Sequence, residues 1–361
     1  FSPAEAGFTR DIRFEDQKGA TPFDLPDGYD ADPNDVVRKM IDEGPILAAT
    51  HPGPIEDTYT AQGVSTALDQ LEDVAGDDPW CLRVSINRPH TPVIPPEPYA
   101  SMYTDEDPTD PDLVNWPYYG RVDRGQSELT DRQLDFVRAQ FAGKITMVDR
   151  WFGRVLDALD ETGAWEDTMV VVTADHGHYL GEHGWVGKPQ APMYDVLVQT
   201  PLFVHHPDAG RAGERVDALT AAVDLYATIL DELDVAADHR HSRSLSPVLH
   251  GEREIHRDWA VYGYWGSSVN VTDGEYTYLH PCDESVDVAC YSTEMMNALG
   301  WFQPRDPEFD AEAGAFLPYT ESPVWKWETY ATGRHDEPLL FDVIDDPEQE
   351  RNLAGEGDPA E

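Results

Sequence analysis

A short apolar run that ends in two adjacent metal-type ligands constrains the fold of this chain more than any other feature. Residues 168–172, Thr-Met-Val-Val-Val, predict a buried strand of a parallel sheet. Asp175 and His176 follow closely, and Lys188 comes next beyond a glycine-rich loop. Because ligands collect beyond the carboxyl ends of strands in open α/β sheets, Asp175 and His176 are predicted metal ligands at that sheet edge. Lys188 either faces a bound anion or is a solvated loop lysine.

Helices and strands alternate around this run. Apolar residues at spacings of three and four predict a long helix over residues 131–161, which Gly163 terminates. A second helix is predicted over residues 59–74, and a third begins at Asp224. Further strands are predicted at 80–86 and 200–204. This order predicts an α/β fold with a doubly wound, mostly parallel sheet.

Beyond residue 255 the pattern changes to short, aromatic-rich strands. Asp273-Gly274 is typical of a hairpin turn between two of them. We therefore predict an α/β domain over residues 1–255 and a small antiparallel C-terminal subdomain, with an acidic tail, over residues 256–361. The predicted strands of this subdomain are 259–265, 268–271, 275–279 and 338–343.

His90 is a further candidate site residue. It follows the predicted strand 80–86 and lies between Pro89 and Pro92, which stiffen the backbone. The strand end places His90 on the same predicted sheet edge as Asp175. Two interpretations are open, because a loop histidine is either an ordinary surface residue or a functional group.

Acidic residues dominate the composition and restrict the partners. The sequence has 70 Asp and Glu against 25 Lys and Arg, a formal net charge of -45. Such a surface repels nucleic acid and anionic membranes, and no apolar run approaches the ~18 residues of a membrane span.

Adaptation to high salt explains the charge, because screening removes most self-repulsion. A high-salt cell interior, and hence a cytoplasmic location, is the expectation. The 40% share of hydrophobic residues predicts a folded core instead of disorder.

Taken in order, these segments resemble the sulfatase family of the alkaline-phosphatase-like superfamily. The resemblance runs from about residue 60 to residue 354 and implies that family's α/β fold. The matching segments are 87–92, 144–149, 173–188, 200–204, 223–230, 243–245 and 340–353.

Carried over residue by residue, the resemblance implies a role for four side chains. Asp175 and His176 would be ligands of a divalent metal, Lys188 would contact the sulfate group, and His90 the sulfate or the leaving-group oxygen. Many sulfatases have Asn in place of His176, whereas His resembles the choline-sulfatase and phosphonate-monoester-hydrolase branches. Calcium or magnesium is the expected metal, and an imidazole ligand leaves manganese or zinc open. His183, by contrast, is expected to be structural.

The sequence also departs from the family pattern. Family members begin with a strand that ends in paired aspartates and then carry a Cys-x-Pro-x-Arg or Ser-x-Pro-x-Arg nucleophile motif. In the cysteine form, oxidation gives formylglycine, whose hydrate attacks the sulfur. Neither feature is in this sequence, and none of Cys81, Cys282 and Cys290 has Pro two residues later. The chain thus resembles about the last two-thirds of a sulfatase, and we predict no substantial sulfatase activity for it alone.

Three functional hypotheses follow. The first is metal-dependent hydrolysis of a small sulfate ester, by a protein whose N-terminal third lies outside this sequence. The second is hydrolysis of phosphate or phosphonate monoesters, and the third is a non-catalytic sulfatase-like protein with weak anion binding. The joint presence of Asp175, His176, Lys188 and His90 favours the first. It also predicts that these four residues converge in one pocket.

Overall fold

The computed structural model describes residues 46–74, 79–104, 113–115, 120–121, 129–188, 192–236, 240–263, 268–282, 288–292, 311–318, 321–329 and 335–355. In chain order, its strands and helices are β1 (Ile46–Ala49), α1 (Tyr59–Val74), β2 (Leu113–Asn115), β3 (Gly120–Arg121), α2 (Asp131–Thr162), β4 (Val170–Thr173), β5 (Tyr179–Leu180), β6 (Trp185–Gly187), α3 (Asp195–Val198), β7 (Leu202–His205), α4 (Asp224–Glu232), α5 (Ser246–Leu249), β8 (Ala260–Gly263), β9 (Ser268–Thr272), β10 (Tyr276–Pro281), β11 (Val288–Ser292), β12 (Ala311–Gly314), β13 (Val324–Thr329) and β14 (Leu339–Asp342).

The chain separates into two compact units. The first consists of Phe1–Met169 and Gly184–Gly187, and the second of Val170–His183 and Lys188–Glu361. The domain boundary proposed at residue 255 falls within the second unit and stays a prediction. The acidic tail beyond residue 355 lies outside the described residues.

The long predicted helix is confirmed as α2, the main element of the first unit. It begins with a capping box in which Gln133 N donates to Thr130 Oγ1 at 3.2 Å and Thr130 N donates to Gln133 Oε1 at 3.0 Å. It ends at Gly163, whose φ of 75° is a left-handed conformation that glycine adopts without strain. Val64 of α1 and Met147 of α2, 0% and 1% exposed, lie in the buried cluster of this unit. The apolar spacing therefore marks a packing face, as predicted.

The strand predicted at 80–86 is not a strand in the structure. Its residues alternate between half-buried and exposed positions, which is the period-2 pattern that suggested a strand. Within the described ranges, however, no neighbouring segment completes a ladder with it. Instead, β1 pairs with β2 in antiparallel fashion, and Ala48 of β1 forms a parallel bridge with Val93.

In the second unit, β4 pairs with β7 in antiparallel register, Val170 opposite His205 and Thr173 opposite Leu202. The prediction of a mostly parallel sheet is therefore wrong for this strand pair. A parallel partner requires a crossover of a dozen or more residues, usually a helix. Between β4 and β7, the described residues provide only short elements, namely β5, a 3-10 turn at Glu182–Gly184, β6 and the four-residue helix α3. In addition, β4 is half-buried or exposed along its length, unlike the fully buried strand expected.

The predicted C-terminal strands form a four-stranded antiparallel sheet in the order β14-β10-β9-β8. The hairpin between β9 and β10 turns at Asp273, whose Oδ1 accepts hydrogen bonds from Glu275 N and Tyr276 N, and at Gly274, with φ of 93°. A further sheet, β11-β13-β12, lies in the same unit. Across the described ranges, no helix combines the length and the apolar character that a bilayer span requires.

Candidate functional site

Three of the four predicted site residues lie together in the second unit, just beyond the end of β4. Oδ2 of Asp175 is 3.4 Å from Nε2 of His176, and Oδ1 of Asp175 accepts a hydrogen bond from the backbone N–H of His176 at 3.0 Å. Nζ of Lys188 lies 2.9 Å from the same Nε2. The side chain of Asp175 is 86% exposed and that of His176 28%. Carboxylate, imidazole and ammonium thus face one small volume.

The backbone fixes the tautomer of His176. Nδ1 is 2.7 Å from the carbonyl oxygen of Gly177, and because a carbonyl only accepts, Nδ1 must carry the proton. Nε2 then presents its lone pair to the ammonium of Lys188. Metal-binding histidines are oriented in the same way, by a carbonyl or carboxylate at the other ring nitrogen. His176 is therefore held in the form that a metal ligand requires.

Gly177 brings this turn close to α3. Its backbone N–H donates to Leu197 O at 2.7 Å, and a Cβ at this position would lie only 2.0 Å from Val196 O. The position therefore requires glycine. Helix α3 is held in turn by Gln349, which is 2% exposed and whose Oε1 accepts from Asp195 N at 2.6 Å.

Aromatic side chains hold the chain on both sides of Lys188. The hydroxyl of Tyr179, a residue with 0% exposure, donates to Pro192 O at 2.7 Å and accepts from Tyr194 N at 3.3 Å. Burial raises the pKa of this phenol, which stays neutral. His183 stacks on Tyr194 with ring centroids 3.7 Å apart, and burial lowers the pKa of its imidazole. These contacts agree with a structural role for His183.

Asp175 and His176 fit two ligands of a divalent metal. With metal–ligand bonds of about 2.0–2.2 Å, neighbouring ligand atoms of one ion lie roughly 3.0–3.5 Å apart. The Oδ2–Nε2 separation of 3.4 Å meets this condition. No third His, Cys, Asp or Glu among the described residues joins them. The pair therefore accounts for part of a coordination shell.

His90 lies in the first unit. Its Nδ1 is 2.6 Å from Thr91 O, so this nitrogen carries the proton as well. The predicted convergence of His90 with Asp175 stays a prediction.

Sequence reasoning missed Lys144, which supports the His90 segment from α2. Its Nζ donates to His90 O at 3.1 Å and to Pro92 O at 2.6 Å, and the residue is only 2% exposed. Burial, together with the nearby charge of Arg88, holds the pKa of Lys144 well below its usual range. One sequence feature could have pointed to Lys144: lysine is rare in this chain, and Lys144 is one of only five.

Comparison with known proteins gives a consistent result. A sequence model of the Sulfatase family matches residues 11–235. An arylsulfatase of Clostridium perfringens is 28% identical over 207 residues, which cover 54% of this chain and 43% of that protein. The multifunctional alkaline phosphatase superfamily protein PehA of Trinickia caryophylli is 28% identical over 310 residues, 78% of this chain and 52% of that protein. The chain thus spans about half of the length of these two relatives.

Two solved structures share the fold. The phosphonate monoester hydrolase of Agrobacterium radiobacter superposes with a TM-score of 0.61 at 22% identity, over 93% of this chain and 67% of that one. The phosphonate monoester hydrolase of Silicibacter pomeroyi gives a TM-score of 0.57 at 25% identity, over 85% of this chain and 57% of that one. These superpositions establish an alkaline-phosphatase-like α/β architecture.

Proposed function

The chain belongs to the sulfatase family, and from this premise we propose that it forms part of a metal-dependent hydrolase of small sulfate monoesters. One observation carries the proposal: Asp175, His176 and Lys188 gather beyond the end of β4, in the order and with the chemistry that the family resemblance implies. Calcium or magnesium is the proposed metal, with manganese or zinc as alternatives because of the imidazole ligand.

Asp175 and His176 hold the metal in this proposal. A sulfate ester retains one negative charge, and more charge develops on its oxygens as the ester bond breaks. When bound, the metal supplies positive charge to these oxygens and favours the deprotonated form of an attacking oxygen. The contact from Gly177 O to Nδ1 keeps the lone pair of His176 on Nε2, available for coordination.

Lys188 binds the anion. Its ammonium already lies beside His176 and is half-buried, so it needs only a change of rotamer to donate to a sulfate oxygen. A fixed cation at developing negative charge stabilises the transition state more than the ground state. His90, whose Nδ1 is bonded to Thr91 O, is proposed as the acid that protonates the departing alkoxide, as the family resemblance implies.

The test is hydrolysis of 4-nitrophenyl sulfate by the full gene product. Assays are run in molar salt, which screens the self-repulsion expected of a chain with a net charge of -45. Lys188→Ala and Asp175→Asn are each expected to lower kcat by about 100-fold or more. Lys326→Ala, a lysine on β13, is the matched control and should retain full activity. Unchanged turnover in Lys188→Ala would refute the assignment.

Hydrolysis of phosphonate or phosphate monoesters is the alternative function. It is supported by His176, by the similarity to PehA and by the fold shared with two phosphonate monoester hydrolases. Phenyl esters of sulfate and phosphonate, assayed side by side, distinguish the two through the ratio of kcat/KM. Turnover of neither ester would leave the non-catalytic interpretation.

We also propose that the 361 residues alone do not turn over sulfate esters, since the sequence contains no Cys-x-Pro-x-Arg or Ser-x-Pro-x-Arg motif. Robust hydrolysis by the purified chain, abolished by Lys188→Ala, would contradict this. A high-salt cytoplasm is proposed as its location on the basis of charge alone.

A further inference from the structure

A second set of residues in the second unit brings metal-type ligand atoms together. His206 follows β7, Glu232 is the last residue of α4, and His250 directly follows α5. One ligand atom from each lies within 4.8 Å of the others. Among the described residues, no other group of three or more His, Cys, Asp or Glu meets this condition.

The side chains of His206 and Glu232 form the less exposed side of this cluster. Nε2 of His206 lies 2.9 Å from Oε2 of Glu232, and the two side chains are 8% and 24% exposed. The ring of His250 packs against that of His206 at 77°, with centroids 4.9 Å apart, and His250 is exposed. An ion therefore has access from the His250 side, while His206 and Glu232 are already in place.

A second hydrogen bond orients the carboxylate. The hydroxyl of Ser246 donates to Oε1 of Glu232 at 2.7 Å, so that Oε2 faces His206. Such outer contacts commonly fix metal-binding carboxylates and contribute to affinity. The carboxylate thus has one oxygen committed to the protein and the other directed at the cluster.

We propose that His206, Glu232 and His250 form a binding site for a borderline divalent transition metal, with Zn²⁺ as the preferred ion. Two imidazoles and one carboxylate constitute a zinc ligand set that leaves a fourth position for water. Calcium and magnesium prefer shells made of oxygen, which two histidines do not provide. The site is separate from Asp175 and His176 and does not depend on the proposed hydrolase function.

Metal binding requires one proton to move. The backbone N–H of Asp208 donates to Nδ1 of His206 at 3.1 Å, so the ring proton lies on Nε2 and points to Glu232. Coordination uses the Nε2 lone pair, so the proton transfers through solvent to Nδ1 and the bond from Asp208 breaks. No electrons are exchanged. The coordinate bonds then tie the ends of β7, α4 and α5 together.

The experiment is a calorimetric titration of the purified chain with Zn²⁺, in molar KCl and excess Mg²⁺ to occupy surface carboxylates. The Asp175→Asn variant serves as the background, so that only the proposed site is counted. One Zn²⁺ per chain is expected. Glu232→Gln and His250→Ala should each weaken binding by about 100-fold or more, and Ser246→Ala by about 10-fold.

Matched controls are Glu275→Gln and His280→Ala, an exposed acid and an exposed histidine of the same unit, which should leave the affinity unchanged. Co²⁺ in place of Zn²⁺ should give visible absorption bands that His250→Ala removes. Absence of stoichiometric Zn²⁺ binding in the Asp175→Asn background would overturn the site, as would a Zn²⁺ affinity in Glu232→Gln and His250→Ala that equals that of the Asp175→Asn background. Neither result affects the assay of sulfate ester hydrolysis.

Discussion

Nζ of Lys188 lies 2.9 Å from Nε2 of His176, the ring nitrogen that Oδ2 of Asp175 also approaches to 3.4 Å. The ammonium and a metal ion would use the same lone pair. Binding of a metal ion to Nε2 of His176 would therefore require Lys188 to move away from this nitrogen.

Replacing Lys188 by Met should raise metal affinity at Asp175 and His176 while lowering affinity for sulfate. Removal of a nearby positive charge favours a metal ion by about 1 kcal/mol at a solvated site, roughly five-fold in Kd. Titration with Mn²⁺ in the Glu232→Gln background measures this site alone, and Lys326→Met is the control. A Kd for Mn²⁺ that is unchanged or weaker in Lys188→Met would show that the two cations do not compete.

Gly177→Ala should disrupt the same site through the backbone. The new Cβ would lie 2.0 Å from Val196 O, and relief of this clash breaks the 2.7 Å bond from Gly177 N to Leu197 O. We expect a loss of about 1–3 kcal/mol in unfolding free energy and weaker Mn²⁺ binding. Gly63→Ala in α1, where nothing lies within 4 Å, should instead stabilise by about 0.5–1 kcal/mol. Similar thermal unfolding of the two variants would contradict the close approach.

Local signals predicted part of this structure well. Apolar spacing and the terminal Gly163 gave α2 almost to the residue, because both are properties of one continuous segment. The proximity of Lys188 to His176 was likewise contained in one short run. The antiparallel pairing of β4 with β7 was not predicted, because strand direction depends on the path of the intervening chain and not on the strand's own residues.

Residues brought together from distant segments were missed. His206, Glu232 and His250 belong to no common motif, and only the packing of three elements places them side by side. Lys144 was missed because it occupies a helix face that the apolar pattern assigns to the core. Its partners, the carbonyls of His90 and Pro92, are backbone groups that leave no mark in the sequence.

Asp224→Asn should be among the most destabilising single substitutions in the second unit. Asp224 is 0% exposed and accepts hydrogen bonds from the guanidinium of Arg257 and from the backbone N–H groups of Arg243 and Ala221. Loss of one partner of a buried ion pair costs about 3–5 kcal/mol. Denaturant unfolding measures the loss, and Asp217→Asn, an exposed acid, should stay within about 0.5 kcal/mol of the parent.

The same carboxylate should contribute to acid unfolding. Burial alone would raise the pKa of Asp224, but hydrogen bonds from Arg257 and the two backbone groups outweigh it, and the pKa lies below the usual 3.8. A depressed acid pKa stabilises the fold above pH 3.8, and this contribution is lost as pH falls through the folded-state value. The stability difference between parent and Asp224→Asn should therefore shrink below about pH 4. A constant difference would mean that the carboxylate is not ionised in the folded protein.

Lys144→Met gives a pH-dependent prediction for the alkaline range. Burial and the charge of Arg88 hold the pKa of Lys144 well below 10.5, so between the folded-state value and pH 10.5 the unfolded chain binds more protons than the folded one. The parent should thus gain stability relative to Lys144→Met as pH rises through this window, and the gain should level off above pH 10.5. Urea unfolding of both variants from pH 7 upward measures the difference, in which the shared tyrosines cancel. Lys326→Met, which changes a lysine on β13, is the control variant measured in parallel. The stability difference between the parent and Lys144→Met could instead stay constant with pH. This would mean that the folded state stabilises the ammonium of Lys144 as well as water does. The carbonyls of His90 and Pro92 would then offset its burial completely.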